Sequence, residues 1–184
     1  MKRKEFLKRT VQMGLAAGSL VWLPNLPAAP AAGQKNEKEA QAELKKFKEE
    51  WVTTLMQNME TQLEPAKRID LMEACGRACA RRNGSFLKLA ESCQEDVGKL
   101  VAKFAEFLGK EENYLQDGVV NLSYPKCYCE LVADGPERLP EVYCHCSEGW
   151  IKEIFETAAR KKVTVQTLQT VKRGAPSCKF LITV

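Results

Sequence analysis

The sequence is poor in histidine and, beyond its first residues, in net charge. Its one histidine, His145, lies between two cysteines. On a regular strand its ring would face away from both thiols, which disfavours a Cys-His nucleophilic pair at this spacing. The formal net charge is +4, but residues 1–32 hold five basic side chains and one acidic side chain, so the rest is near neutral. Without a cluster of Lys and Arg to meet phosphates, the sequence does not predict nucleic-acid binding.

The sequence also lacks an apolar run long enough to span a bilayer comfortably. The apolar stretch from Val11 to Leu23 follows basic residues and precedes small residues around Ala29-Pro30-Ala31, the order typical of an export signal. Arg3-Lys4-Glu5-Phe6-Leu7-Lys8 resembles the twin-arginine export motif, with lysine in place of the second arginine, and a general secretory peptide is the alternative. We expect residues 1–32 to be the signal and residues 33–184 to be one periplasmic domain, which would be membrane-anchored if the signal were kept.

Hydrophobic periodicity predicts helices in the first half of the domain and strands in the second. The stripe from Leu44 to Leu63 is expected to pack one long helix against the domain. This order of elements predicts an α+β fold, in which N-terminal helices pack on a mostly antiparallel sheet and a helix then precedes a C-terminal β-hairpin. The predicted helices cover residues 36–63, 65–82 and 92–109 and a segment opening at Ser147, and the predicted strands cover residues 119–124, 127–132, 163–171 and 177–184.

Two Cys-x-Cys pairs stand out among the eight cysteines. Cys127 and Cys129 would share one face of a strand, since residues two apart point the same way about 6.5 Å apart. Cys144 and Cys146 could do the same on a neighbouring segment. Four converging thiolates suit tetrahedral zinc, and the dipole of a helix opening at Ser147 would favour a thiolate at Cys146.

Disulfides are the main alternative for these thiols. The number of cysteines is even, and an exported chain meets an oxidising compartment. Bonds between the two pairs would be easier than bonds within a pair, whose alpha carbons lie at the upper edge of disulfide reach. A third interpretation is that these cysteines are unpaired thiols with a structural role.

The remaining upstream cysteines form a second, weaker group. Cys75 and Cys79 share a helix face, and Cys93 falls at a predicted helix N-terminus. Core packing accounts for each of them. If Cys75 and Cys79 joined the pairs, an iron-sulfur cluster would become the second candidate cofactor after zinc.

The C-terminal part resembles a known kind of domain. Residues 144–184 look like the closing half of vinyl-4-reductase-type domains, which are small-molecule-binding modules: a Gly-Trp pair opens a helix, a strand and a glycine turn follow, and Cys-x-Phe lies in the last strand. With all the cysteines considered, residues 33–184 resemble a cysteine-rich bacterial and archaeal family related to that fold. The matching positions are Gly149, Trp150, Phe155, Val163, Gly174, Cys178 and Phe180.

The resemblance implies a metal site. Some of those domains bind zinc through a glutamate and cysteines, one before the Gly-Trp helix and one in the final strand, which match the second pair and Cys178. Thr167 and Thr170 stand where the related domains place the glutamate and a further cysteine, so the first pair would have to supply the other ligands. The expected metal ligands are Cys127, Cys129, Cys144, Cys146 and Cys178.

The resemblance also implies a small apolar or aromatic ligand held between sheet and helices. Tyr124, Trp150, Phe155 and Phe180 are candidates for lining that pocket, although such side chains are more often core. We therefore expect an exported metal- and small-molecule-binding module with a sensing or carrier role.

Two other functions stay open. One is a thiol- or metal-dependent hydrolase, because the helix-strand-strand ending has a distant likeness to thiazoline-carboxylate hydrolase-like proteins. No local motif supplies a nucleophile, a base and an oxyanion site together, so no catalytic residue is assigned. The other is a structural domain stabilised by disulfides.

Overall fold

The computed structural model describes residues 33–129, 131–132 and 139–184. The predicted export signal, residues 1–32, lies outside these residues. The chain divides into two compact units, Met1–Lys38 and Glu39–Val184, and the second contains the fold. Within the described residues, no helix combines the length and the apolar character that crossing a membrane requires.

The described residues form five α-helices and four β-strands, and the predicted α+β class is confirmed. Short 3-10 helices at Glu141–Cys144 and Val171–Arg173 lie before the last helix and after the third strand. In chain order the elements are α1 (Gly33–Gln62), α2 (Pro65–Arg82), α3 (Gly84–Glu91), α4 (Val97–Leu108), β1 (Tyr114–Gln116), β2 (Val119–Tyr124), α5 (His145–Ala159), β3 (Thr164–Gln169) and β4 (Cys178–Thr183).

The four strands form one antiparallel sheet in the order β1-β2-β4-β3. The predicted C-terminal hairpin is the β3-β4 pair. In the central pair, Val120 is opposite Ile182 and Leu122 is opposite Phe180, and all four side chains are buried. Since alternate residues of a strand share a face, this face of the sheet carries the core.

Aromatic rings fill much of the space between the sheet and α3, α4 and α5. Phe104 stacks on Phe155 and on Phe86, with ring centroids 6.0 and 5.7 Å apart. Trp150 meets Phe86 edge-on at 5.2 Å. Phe155 and Phe180 are wholly buried, so these candidates for a pocket lining are core residues in this structure.

Two glycines allow α2 and α5 to cross at backbone contact. A Cβ atom at Gly76 would lie 1.9 Å from the carbonyl oxygen of Cys146, and one at Gly149 would lie 2.0 Å from the carbonyl oxygen of Glu73. Both distances are far below van der Waals contact, so only glycine fits at either position. Arg77 closes one side of the crossing with ion pairs to two glutamates of α5, at 3.1 and 2.9 Å.

Two of the predicted element boundaries near the cysteines are wrong. Residues 127–132 were expected to be a strand, but β2 ends at Tyr124, immediately before Pro125, which has no N–H to continue the pairing. The last helix was expected to open at Ser147, but α5 begins at His145 as a continuation of the 3-10 helix that precedes it. Neither Cys-x-Cys pair therefore lies on a strand.

The expected packing of the long helix is also only partly right. Leu44, Phe47 and Trp51 are exposed, whereas Met56 and Met59 are buried. The apolar stripe of α1 thus packs on the domain only toward its C-terminal end.

Replacing Gly149 with alanine tests the helix crossing. The added methyl group would meet the backbone of Glu73, which cannot rotate away, so we expect Gly149→Ala to lower the free energy of unfolding by about 1–3 kcal/mol. Chemical denaturation measures the change. The matched control is Gly84→Ala, since a Cβ there meets nothing within 4 Å and alanine should be neutral or stabilising by up to about 1 kcal/mol. Equal stability of the two variants would contradict the crossing.

Candidate functional site

All eight cysteines lie in the described part of the chain and carry free thiols. Cys144 and Cys178 are buried, the thiols of the first pair and of Cys146 are half-buried, and Cys75 and Cys79 are exposed. Cys93 is buried in the main core beside Ser92.

Two buried thiols are anchored at the turn after β3. The Sγ atom of Cys144 lies 3.1 Å from Oγ1 of Thr170, and the N–H of Val171 donates to Sγ of Cys178 at 3.3 Å. Burial raises the pKa of both thiols, and the negative charge of a Cys127 thiolate would raise both further. Cys144 and Cys178, defined here as the β4 set, are therefore held at the consecutive residues Thr170 and Val171.

The other thiols gather where α2 crosses the first turn of α5. Burial, and then the charges of the Cys129, Cys79, Cys75 and Cys144 thiolates in that order, raise the pKa of Cys146 to about 12. The backbone of Gly76, which lies between Cys75 and Cys79 in sequence, contacts that of Cys146, and Cys129 and Cys146 pack on one hydrophobic cluster. Cys75, Cys79, Cys129 and Cys146 are defined here as the α2 set.

The loop that carries the first pair lies against a small hydrophobic cluster. Cys127, Cys129 and Cys146 all pack on this cluster, which includes Met72 of α2. Sγ of Cys129 also lies 2.9 Å from the hydroxyl of Tyr143. The structure thus brings the two Cys-x-Cys pairs to the same end of α5.

The second pair is nevertheless divided. Residues two apart on a helix are about 200° apart around its axis, so Cys144 and Cys146, at the start of α5, face different surroundings. Cys144 contacts Thr170, whereas Cys146 packs with Cys127 and Cys129 on one hydrophobic cluster. Among the described residues, no group of three or more His, Cys, Asp or Glu side chains is already arranged to hold a metal ion, and the metal role of the five predicted ligands stays a prediction.

A buried polar network next to the cysteines was not foreseen from the sequence. Nδ1 of His145 lies 2.9 Å from Oε2 of Glu148, and the hydroxyl of Thr167 donates to the other carboxylate oxygen. Glu148 is only 7% exposed. The i,i+3 spacing of His145 and Glu148 is the signal that would have found the pair, had the residues been placed on a helix.

This network orients a histidine as a hydrolase would require. The thiols on either side of it in sequence are less suitable as nucleophiles, because burial raises the pKa of both Cys144 and Cys146 and the thiolate is the reactive form.

The fold and the two thiol sets define a cysteine-rich α+β domain. Residues 30–184 match the model of a family of unknown function, DUF6144, and the chain belongs to that family. No curated protein sequence matches the chain.

Alkylation of the metal-free protein tests the placement of the thiols. At pH 8 we expect iodoacetamide to modify the exposed Cys75 and Cys79 first, whereas Cys146, with a pKa raised to about 12, should react slowly until the pH approaches that value, because only the thiolate attacks. Mass mapping of peptides after timed quenching measures each rate. Protein unfolded in urea is the control, in which all cysteines should react at similar rates. Labelling of Cys146 in the folded protein as fast as that of Cys75 would contradict the placement.

Proposed function

We propose that the protein is an exported binding module that holds zinc on its gathered cysteines and takes up a small apolar or aromatic molecule, in a sensing or carrier role. The proposed zinc site is supported by the position of seven cysteines, which come from four separate segments of the chain and lie around the start of α5.

The chemistry of this donor set suits zinc. Sulfur is a preferred ligand of Zn²⁺ and of iron-sulfur clusters, and every candidate ligand in the two sets is a thiol. Neighbouring thiols cannot all ionise together, because each thiolate opposes the next. A bound divalent cation supplies the opposing charge, so each Zn–S bond would form as a thiol releases its proton to solvent.

Export belongs to the same proposal. The signal-like residues 1–32 support a periplasmic location. The twin-arginine route carries folded proteins, which would let the metal be loaded before export.

Native mass spectrometry of protein purified without reductant or added metal tests the zinc site. We expect a zinc increment in the wild type and its loss in the Cys144→Ser/Cys146→Ser double variant, which removes one thiol from each set. Zinc at about 100 times its Kd should raise the wild-type free energy of unfolding by about 2.7 kcal/mol and leave that of the double variant unchanged.

Cys93→Ala is the matched control for that experiment, since Cys93 lies in the main core. It should lose some stability and keep the zinc. A wild-type mass lower by two hydrogens per bond, with no zinc, would support the disulfide-stabilised structural domain instead.

Tyr124 supports the small-molecule part of the proposal. Its hydroxyl is buried, and in the described part of the chain it has no hydrogen-bond partner. Its ring packs against Phe180 at 5.4 Å and Tyr128 at 6.2 Å, and Tyr124 is opposite Cys178 in the sheet. Since buried polar groups are nearly always paired, a ligand with a polar group at this point would supply the missing partner.

The Tyr124→Phe variant tests whether the Tyr124 hydroxyl binds a ligand or has only a structural role. With phenol as the probe, calorimetry should show roughly tenfold weaker binding to the variant, the equivalent of one hydrogen bond of about 1.4 kcal/mol. Stability without the probe should stay equal or rise, because an unpaired buried hydroxyl is removed. Tyr128→Phe, at an exposed ring, is the control and should bind as the wild type does. Unchanged binding to Tyr124→Phe would contradict the role of Tyr124.

A further inference from the structure

The long helix α1 carries two apolar stripes, and its own domain covers one of them. Val52, Met56 and Met59 pack on the small hydrophobic cluster that also contacts the cysteine pairs. Trp51 and Leu55 lie at the same level of the helix but are exposed. Each residue of an α-helix is rotated by about 100° from the one before, so the second stripe points about 100° away from the first. The packing of α1 on its own domain therefore does not explain it.

The second stripe, from Leu44 through Phe47 and Trp51 to Leu55, is exposed along three turns of α1. These side chains lie within about 80° of one another around the helix axis, and Phe47 and Trp51 are 62% and 56% exposed. From residue 39 to residue 51, every residue except Glu49 is exposed. Helices in proteins gain most of their stability from a packed apolar face, and a contiguous exposed apolar patch marks an interaction site. The second stripe therefore has the character of an interface.

The spacing of the second stripe is that of a two-stranded coiled coil. Its side chains follow steps of three and four residues, as the a and d positions of a heptad do. The series ends in an exposed asparagine at an a position, and a single asparagine at such a position fixes the register of paired helices. A second copy of the same helix offers the matching side chains. The series is Ala40 (d), Leu44 (a), Phe47 (d), Trp51 (a), Thr54 (d) and Asn58 (a), with Leu55 beside Thr54.

Exposed charges along the two edges of the second stripe favour a parallel pair of helices. Glu43 and Glu50 occupy one edge, at g positions, and Lys48 occupies the other edge, at an e position. In a parallel pair the g edge of one helix faces the e edge of its partner, so Glu43 of one copy meets Lys48 of the other copy, twice by symmetry. An antiparallel pair would instead place the glutamate edges against each other.

The same charges disfavour a membrane surface as the partner. A helix that lies on a membrane carries Lys and Arg beside its apolar face to meet anionic lipids. Glu43 and Glu50 line one edge of the second stripe, and an anionic surface would repel them. A second copy of the chain, which brings its own Lys48 to that edge, is the better partner.

We infer that the protein forms a parallel dimer in which the α1 helices of two copies pair along the second stripe. The stripe that packs on the domain lies about 100° away, so pairing leaves that contact intact. Because both helices run in the same direction, the two binding modules lie at the same end of the pair. The inference goes beyond the proposed function and does not rest on a bound metal.

Sedimentation velocity over a hundredfold range of concentration tests the dimer. Reductant and chelator are present, so that the exposed Cys75 and Cys79 do not link copies through disulfides or zinc. We expect a concentration-dependent dimer for the wild type and a monomer for Phe47→Glu/Trp51→Glu, with circular dichroism to check folding. Phe107→Glu is the matched control, since Phe107 is an aromatic residue of α4 that is 72% exposed, and it should dimerise as the wild type does.

Charge reversal tests the parallel direction of the helices. Lys48→Glu places like charges opposite Glu43 at both symmetric positions, so association should weaken by roughly fivefold. Glu43→Lys/Lys48→Glu restores opposite charges in the reversed order and should bring association back to the wild-type level. Both measurements use the same sedimentation experiment at low salt, because salt screens exposed charges.

Each result decides the inference. A wild type that stays monomeric over the whole range overturns it, and so does a Phe47→Glu/Trp51→Glu variant that still dimerises. Unchanged association of Lys48→Glu, or a double charge reversal that does not restore it, overturns the parallel pairing. Cosedimentation of a monomeric wild type with anionic lipid vesicles, lost in Phe47→Glu/Trp51→Glu, would show that the second stripe binds a membrane instead. None of these results bears on the proposed zinc site, which the chelator leaves empty throughout.

Discussion

The backbone contact between α2 and α5 is the constraint on which the candidate site depends. Gly76 and Gly149 let the two helices approach until the carbonyl of one nearly touches the alpha carbon of the other. A side chain at either position would separate the helices and withdraw the α2 thiols from Cys146. Arg77 and Lys152 form ion pairs on the opposite flank, so one edge of the helix crossing carries charged side chains and the other carries thiols. Its glycines therefore position thiols as well as pack helices.

Burial above all raises the pKa of Cys144, Cys146 and Cys178 and favours their protonated form. Neutral thiols tolerate apolar surroundings well, which lets the fold form with Cys144 and Cys178 in its interior. Ionising Cys146 is opposed first by burial and then by the neighbouring sulfurs, which together raise its pKa. A cation that binds sulfur favours the thiolate form over the thiol, because each thiolate then faces a positive charge. Exposure of Cys75 and Cys79 leaves one side of the cluster open to solvent.

The sequence was sufficient for the fold class, but not for the arrangement of the cysteine pairs. Helical periodicity and the closing hairpin depend on local pattern, and these are the predictions that hold. The Cys-x-Cys spacing was interpreted as strand geometry, whereas Pro125 ends β2 before the first pair and the second pair lies at a helix start. On a helix the same spacing points two side chains apart instead of together. The contribution of Cys75 and Cys79 depends on a helix crossing between residues far apart in sequence, which no local pattern encodes.

X-ray absorption at the zinc edge of the loaded wild-type protein tests the central claim most directly, because it reports the atoms bound to the metal. The account predicts a shell dominated by sulfur at about 2.3 Å. A shell made mainly of nitrogen and oxygen atoms at about 2.0–2.2 Å would contradict it, since it would place the metal away from the gathered cysteines.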